Sequence, residues 1–208
     1  MTVWFASGNI NKKKELVDIF SINFLSLYFD LKTPVDAGLT FNPEETGNTF
    51  VENALIKAEA LHRQVGEPVI ADDSGICVDA LGGRPGIHSA YYGERGMKIS
   101  DSERNILLLE ELGDNPMRRA YFVCAMVLYY GPNRFFVAQE SMEGELVNSA
   151  DAAKGSGGFG YDPILYIPEL GRTVAELSAD EKNRLSHRGK AGKAIADFLF
   201  SSFRGTGN

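Results

Sequence analysis

Residues 119–146 read RAYFVCAMVLYYGPNRFFVAQESMEGEL, and this stretch decides the fold class. Two long runs rich in Val, Phe and Tyr, Arg119 to Tyr130 and Arg134 to Leu146, flank Gly131-Pro132-Asn133. Apolar runs joined by a short Gly-containing turn predict a pair of long antiparallel strands. Outward from that pair the period changes. Ser100 to Leu112 has helical spacing on the upstream side. Downstream come a Gly-rich loop from Gly155 to Gly160 and a short strand around Ile164 to Ile167. Val174 to the C-terminus reads as helix in two pieces, broken near Ser186.

The N-terminal part adds strand, tight loop and helix. Thr2 to Ala6 is a buried apolar strand, Ser7-Gly8-Asn9 breaks it, and Asn11 caps a helix from Lys12 to about Phe20. Leu16, Ile19 and Phe20 face its core side. Phe24 to Leu31 reads as a second strand and Pro34 to Asn48 as a loop. Phe50, Ala54, Ala58, Leu61 and Val65 recur at spacings of three and four. Thr49 and Glu52 have capping-box spacing, and Gly66 with Pro68 ends the helix. Pro68 to Ala71 and Ile76 to Val78 read as short strand segments on either side of Asp72-Asp73-Ser74-Gly75. Strands and helices in this order predict an α/β fold with a mixed sheet. No repeat or Pro/Ser linker divides the chain, so one domain spans residues 1–208.

A chain of 208 residues, 44% hydrophobic and 24% charged, has ordinary globular composition and needs no metal or disulfide staple. Cys77 and Cys124 both lie in apolar runs and read as buried hydrophobes. A net charge of −7 argues against duplex nucleic acid as the main partner, because such binding is driven by clustered basic charge. The longest apolar run, Ala120 to Tyr130, falls well short of the roughly 20 residues that span a bilayer. The first residues carry no basic segment before a cleavage site, which predicts a cytoplasmic protein.

Four clusters carry possible chemistry. The loop Ser7-Gly8-Asn9-Ile10-Asn11-Lys12 leads a strand into a helix N-terminus, where backbone N–H groups and the helix dipole favour an anion. Lys12 opposes that dipole, so an anion that neutralises it explains its place; a solvated Lys12-Lys13-Lys14 run is the plainer alternative. The acid pairs Glu44-Glu45 and Asp72-Asp73 suit a hard cation held by carboxylate, water and phosphate oxygens, or are solvated acidic turns. Gly155 to Gly160 fits G-x-G-x-x-G, but Pro163 follows too closely for it to open a helix, so the dinucleotide reading fails. What remains is a permissive loop bearing Phe159 and Tyr161, either able to stack on a base or to sit in the core. Lys182 and Ser186 share a helix face, and His187-Arg188-Gly189 presents donors beside them. A Walker loop, a zinc cluster and Gly-x-Ser-x-Gly are all missing from the sequence.

Together, SGNINKKKEL, EETGNTFVENALIKA, IADDSGICVDALGGRPGIHSA, GSGGFGYDPIL and LSADEKNRLSHRGKA resemble the Ham1/RdgB family of inosine/xanthosine triphosphate pyrophosphatases. The segments run in order from Ser7 to Ala191. The resemblance implies an elongated two-lobed α/β fold with a long central mixed sheet flanked by helices, an active-site cleft between the lobes, and a homodimer. It implies Mg²⁺-dependent hydrolysis of ITP, dITP and XTP to the monophosphate and pyrophosphate. By motif, Ser7, Gly8, Asn9, Ile10, Asn11 and Lys12 bind triphosphate, and Glu44 and Asp73 hold metal, with Asp73 also the general base. Ser74, Phe159, Gly160, Tyr161, Asp162, Lys182, His187 and Arg188 line the substrate site, Arg188 as a donor to the C6 oxo group of the purine. Ser89-Ala90-Tyr91-Tyr92 stands where bacterial members commonly carry Ser-Ala-Arg-Tyr. A related house-cleaning pyrophosphatase for another modified nucleotide, or a nucleotide-binding regulator without turnover, are the other readings.

Overall fold

A computed structural model describes residues 1–23, 25–93 and 99–204. Seven strands form one sheet in the order β2-β1-β3-β4-β5-β6-β7. They are β1 (Thr2–Phe5), β2 (Asp30–Lys32), β3 (Val69–Val78), β4 (Arg119–Gly131), β5 (Arg134–Leu146), β6 (Leu165–Ile167) and β7 (Arg172–Thr173). β1 pairs parallel with β2 and β3, whereas β6 pairs antiparallel with β5 and β7, so the sheet is mixed as expected. Among the described residues five α-helices accompany it: α1 (Ile10–Ile22), α2 (Phe50–Val65), α3 (Asp101–Leu112), α4 (Ala179–Leu185) and α5 (His187–Arg204). Two compact units divide the chain. The first takes Met1–Asp73, Cys124–Glu140 and His187–Asn208, and the second Ser74–Val123 and Ser141–Ser186.

In the first unit the period-two alternation of the strands sorts the core into two layers. Val3, Phe5, Ile70, Met126 and Leu128 pack with Leu16 and Phe20 of α1 and Ile195 and Leu199 of α5. Their strand neighbours Trp4, Ala6, Val69, Ala71, Val127 and Tyr129 pack with Ala54, Ala58 and Leu61 of α2. Both faces of the strands are therefore covered, which is why β1 and β4 read as continuous apolar runs. The second unit buries Ile76, Val78, Phe122, Met142 and Leu165 against Leu108, Leu109 and Leu112 of α3.

Local chemistry sets the helix boundaries. Thr49 and Ser100 each form a capping box, with Glu52 and Glu103, and Gly66 ends α2 in a left-handed conformation at φ +67°. The cap of α1 is Asn9, two residues earlier than the sequence pattern suggests, because its side chain accepts from both Asn11 N–H and Lys12 N–H. The stretch expected as one strand from residue 24 is instead a 3₁₀ turn, Leu25–Leu27, and the short β2; Phe24 itself lies outside the described residues. β2 pairs only with β1, so three residues suffice to extend the sheet by one strand.

The larger departure is β3. The two short segments expected on either side of Asp72-Asp73-Ser74-Gly75 are one unbroken strand from Val69 to Val78. In the second unit Gly75 passes so close to the Gly86–Ser89 turn that an added Cβ would lie 2.3 Å from the Gly86 carbonyl oxygen. Ser89 Oγ fills that contact, accepting from Ile76 N–H at 2.9 Å and donating to the Gly86 carbonyl at 2.6 Å. Gly75→Ala therefore overpacks a backbone contact and is expected to lower unfolding free energy by about 1–3 kcal/mol, measured by urea titration. A change within experimental error would contradict the close approach.

Candidate active site

Because side chains alternate along a strand, adjacent acids on β3 point to opposite faces of the sheet. Asp72 shares the face of Ile70 and meets α1 and α5, while Asp73 shares the face of Ala71 and meets α2. The mutual repulsion expected of the pair is thereby reduced, and each carboxylate acquires its own cations.

Asp72 is fully buried in the first unit. Its Oδ2 accepts from Arg188 Nε at 3.2 Å and Nη2 at 3.1 Å, and lies 3.0 Å from Lys12 Nζ. Arg188 Nη1 donates to Glu15 Oε2 at 2.7 Å, and Cys124 Sγ stands 3.9 Å from Asp72 Oδ2. Lys12 and Glu15 are three residues apart on α1, so one helix face supplies both partners. Burial opposes ionisation of Asp72, but Lys12, Arg188 and Lys57 outweigh it and hold the carboxyl below the usual carboxylate range. The same surroundings push the Cys124 thiol up to about 12, burial leading and Asp72 adding, so this cysteine is inert. The anion that neutralises Lys12 is thus Asp72 itself. Arg188, only 2% exposed, donates from its guanidinium to Asp72 and Glu15 and braces that anion.

Asp73 sits in a weaker set of bonds. Lys57 Nζ donates to its Oδ1 at 3.3 Å and Asn53 Nδ2 to its Oδ2 at 3.3 Å. The same Lys57 ammonium donates to Glu45 Oε2 at 2.9 Å. Burial pushes the Asp73 carboxyl up; Lys57 and Lys12 pull it down, Glu45 and Asp72 push it further up, and the balance is a raised value. Burial lowers Lys57, but Asp73, Asp72 and Glu45 more than restore it and keep it protonated. Two neighbouring carboxyl groups are therefore driven apart in proton affinity, Asp72 towards a permanent anion and Asp73 towards a proton acceptor.

Glu45 and Asp73 converge on one cation with oxygen donors only, and no cluster of three or more His, Cys, Asp or Glu is found among the described residues. One or two carboxylates, with water and phosphate oxygens completing the shell, is the Mg²⁺ pattern, so these residues fit such an ion. Glu44, the acid singled out in the sequence, is exposed, and the bonds to Lys57 come from its neighbour Glu45. In the loop before α1, Ser7 Oγ accepts from Asn9 N–H at 3.1 Å and Asn9 Oδ1 from Asn11 N–H at 2.9 Å and Lys12 N–H at 3.2 Å. Its own side chains therefore shape the loop, while Ile10 is 78% exposed and contributes no packing.

The second unit holds another cluster. Lys182 Nζ donates to Asp162 Oδ2 at 2.7 Å and lies 4.8 Å from the centre of the Phe159 ring. Phe159 N–H donates to the same Asp162 oxygen at 2.7 Å. Gly158, at φ +74°, must lack a side chain here, since a Cβ would fall 1.9 Å from that oxygen. Tyr161 is 6% exposed and packed in the core, its hydroxyl donating to the Ser89 carbonyl at 2.8 Å, so of the two loop aromatics Phe159 is the one with a partly open ring. Ser74 and the segment from Phe159 to Lys182 belong to this unit, and Ser7 to Lys12, Glu44, Asp73, His187 and Arg188 belong to the first.

Sequence reasoning passed over Asn53 and Lys57. Their signal was two polar residues spaced i,i+4 beside the Ala54–Ala58 stripe of α2, where a solvated face would not place them.

A model described as the Ham1 family matches residues 3–198. A Treponema denticola protein named dITP/XTP pyrophosphatase is 46% identical over 203 residues, covering 97% of this chain and 100% of its own. A Thermus thermophilus protein of the same name is 43% identical over 199 residues, 95% of this chain and 91% of its own. Among solved structures, a HAM1 protein from Coxiella burnetii superposes with a TM-score of 0.85 at 35% identity, covering 97% of this chain and 99% of that one.

Asp72→Asn leaves Lys12 without its anion and Arg188 with Glu15 alone, and breaking one partner of a buried ion network costs about 3–5 kcal/mol. The folded value of Asp72 lies below the ordinary 3.8, so its stabilisation is complete above that value and is lost as pH falls through it towards the folded one. Urea unfolding should show a wide gap between wild type and Asp72→Asn at neutral pH that narrows below about pH 4. A gap that stays constant on acidification would contradict the assignment.

Proposed function

This chain belongs to the Ham1 family, and from that footing we propose that it hydrolyses non-canonical purine nucleoside triphosphates, ITP, dITP and XTP, to the monophosphate and pyrophosphate. One observation carries the reading at the level of chemistry: a carboxylate, Asp73, held beside the Lys57 ammonium that also takes Glu45, next to a second carboxylate, Asp72, buried against Lys12 and Arg188.

Splitting an anhydride between the α- and β-phosphates requires a water aimed at the α-phosphorus and neutralisation of the leaving pyrophosphate. Positioning and electrostatics supply most of such a barrier. Asp73 takes the proton of the attacking water, with Asn53 and Lys57 bonded to its two oxygens. Lys57 holds Asp73 in place and adds positive charge where the phosphates arrive. Lys12 and the loop from Ser7 to Asn11 receive the triphosphate, with Asp72 and Arg188 fixing the Lys12 ammonium from behind. Glu44 and Asp73, with Glu45 alongside, are the oxygens proposed to hold Mg²⁺, which when bound supplies charge neutralisation to the phosphate oxygens.

On the nucleoside side, Phe159 offers a ring for stacking, and Asp162 and Lys182 offer an acceptor and a donor at its edge. Gly160, Tyr161, Ser74 and His187 complete the proposed lining, Tyr161 through the core contact that seats the loop. Hypoxanthine and xanthine present an acceptor at C6 where adenine presents a donor. A site that meets C6 with a donor leaves adenine unpaired there, at a cost of about 1–3 kcal/mol. In this reading the protein is a cytoplasmic homodimer that acts on free nucleotides.

A panel of ITP, dITP, XTP, GTP and ATP with Mg²⁺ tests it, with pyrophosphate and orthophosphate scored separately. ITP, dITP and XTP should give pyrophosphate as the primary product, and Asp73→Asn should lower turnover at least ~10²-fold while remaining folded. Orthophosphate as the primary product, or near-wild-type turnover in Asp73→Asn, would overturn the reading.

A further inference from the structure

Helix α3 holds the Phe159 loop at Gly160. Gly160 donates its N–H to Asp101 Oδ2 at 2.8 Å, and its carbonyl accepts from Asn105 Nδ2 at 3.2 Å. Asp101 and Asn105 are one helical turn apart at the start of α3, so they present to the loop from one face. Asp101 is itself held: its Oδ1 accepts from Arg104 Nη2 at 2.8 Å, and Arg104 Nη1 donates to the Ala90 carbonyl at 2.9 Å. Arg104 and Asn105 are 8% and 7% exposed, which is unusual for polar residues on a helix near the surface. Phe159 N–H, one residue earlier, is taken by Asp162. Two successive loop N–H groups are thus claimed by two carboxylates, one from the loop itself and one from α3.

A cavity of about 270 Å³ lies between Asp101, Ser102, Asn105 and Ile106 of α3 and the loop from Ser156 to Gly160. The other end of the loop is tied by Gly157 N–H to the Ala175 carbonyl at 3.1 Å. Gly160 at φ +64° has nothing within 4 Å of where a Cβ would stand. Across this gap, hydrogen bonds to the Gly160 backbone join loop to helix.

We propose that Asp101 and Asn105 are positioning residues for substrate binding: they hold the Phe159–Gly160 peptide in the conformer that accepts the purine, without touching it. The proposal rests on the reading that Phe159 faces the nucleobase. A loop released from α3 spreads over other conformers, and apparent affinity falls by the fraction that remains competent. The chemistry of the bound state is untouched, so KM rises and kcat holds.

The experiment compares Asp101→Ala, Asp101→Asn, Asn105→Ala and the exposed control Glu110→Gln in ITP kinetics, thermal melting and Gly160 amide exchange by NMR. Asp101→Ala should raise KM for ITP by about tenfold, the size of one charge-assisted hydrogen bond. Its kcat should stay within about twofold of wild type, and Gly160 exchange should quicken. Asp101→Asn keeps an acceptor oxygen and should recover most of the affinity. Asn105→Ala should raise KM about threefold, as for a neutral bond, and Glu110→Gln should leave every readout unchanged. A folded Asp101→Ala with faster Gly160 exchange and unchanged KM would overturn the proposal. So would loss of kcat in step with melting temperature that Asp101→Asn does not rescue. If Asp101→Ala fails to fold, an unchanged KM in Asn105→Ala overturns it alone. Wild-type protein that turns over no ITP would fail the functional reading instead, a result visible before any variant is compared.

Discussion

Everything in the first unit depends on one buried carboxylate. Asp72 has no exposed surface, and taking an ion out of water costs several kcal/mol unless partners replace the solvent. Those partners come from two helices: Lys12 from α1 and Arg188 from the start of α5, with Glu15 of α1 balancing the guanidinium. Asp72 therefore fixes where α1 and α5 begin relative to β3. It also keeps Lys12 extended at the mouth of the loop from Ser7 to Asn11, and the proposed triphosphate cradle is a consequence of that packing. Replacing such a network with apolar residues often costs little stability, so its retention fits a requirement for placed charge.

The second constraint follows from strand geometry. Asp73 follows Asp72 directly, yet the alternation of β3 delivers it to α2, where Asn53 and Lys57 wait with longer bonds. One acid gathers its cations at a single oxygen, and the other takes longer bonds at both. Two residues of identical chemistry thus acquire opposite protonation tendencies from the face to which each one points. A single-residue slip of β3 would exchange their roles, and Gly75, wedged against Gly86 in the second unit, is one feature that pins the register.

Much of this was legible in the sequence where local rules decide. The β4 and β5 boundaries, the capping box of α2 and the break at Ser186 all follow from turn chemistry and periodicity within a few residues. The unbroken strand through Asp72-Asp73-Ser74-Gly75 was not, because local propensity disfavours it and the stabilising cations lie 60 to 116 residues away. The α1 cap was displaced to Asn9 because two polar residues of equal capping aptitude stand near each other and tertiary context chooses. In the site, Lys12 and Asp73 could be singled out from their neighbours in sequence. Asp101 and Asn105 could not, since each acts on Gly160, 59 and 55 positions away, from an otherwise ordinary helix, and Lys57 and Asn53 showed only as a polar i,i+4 pair beside the apolar stripe of α2.

The central claim is chemical: water activated at Asp73 attacks the α-phosphorus. Hydrolysis of ITP in ¹⁸O-labelled water, with products analysed by mass spectrometry, tests it most directly. One labelled oxygen is expected in the nucleoside monophosphate and none in pyrophosphate. Label in the pyrophosphate would place the attack on the β-phosphorus and contradict it.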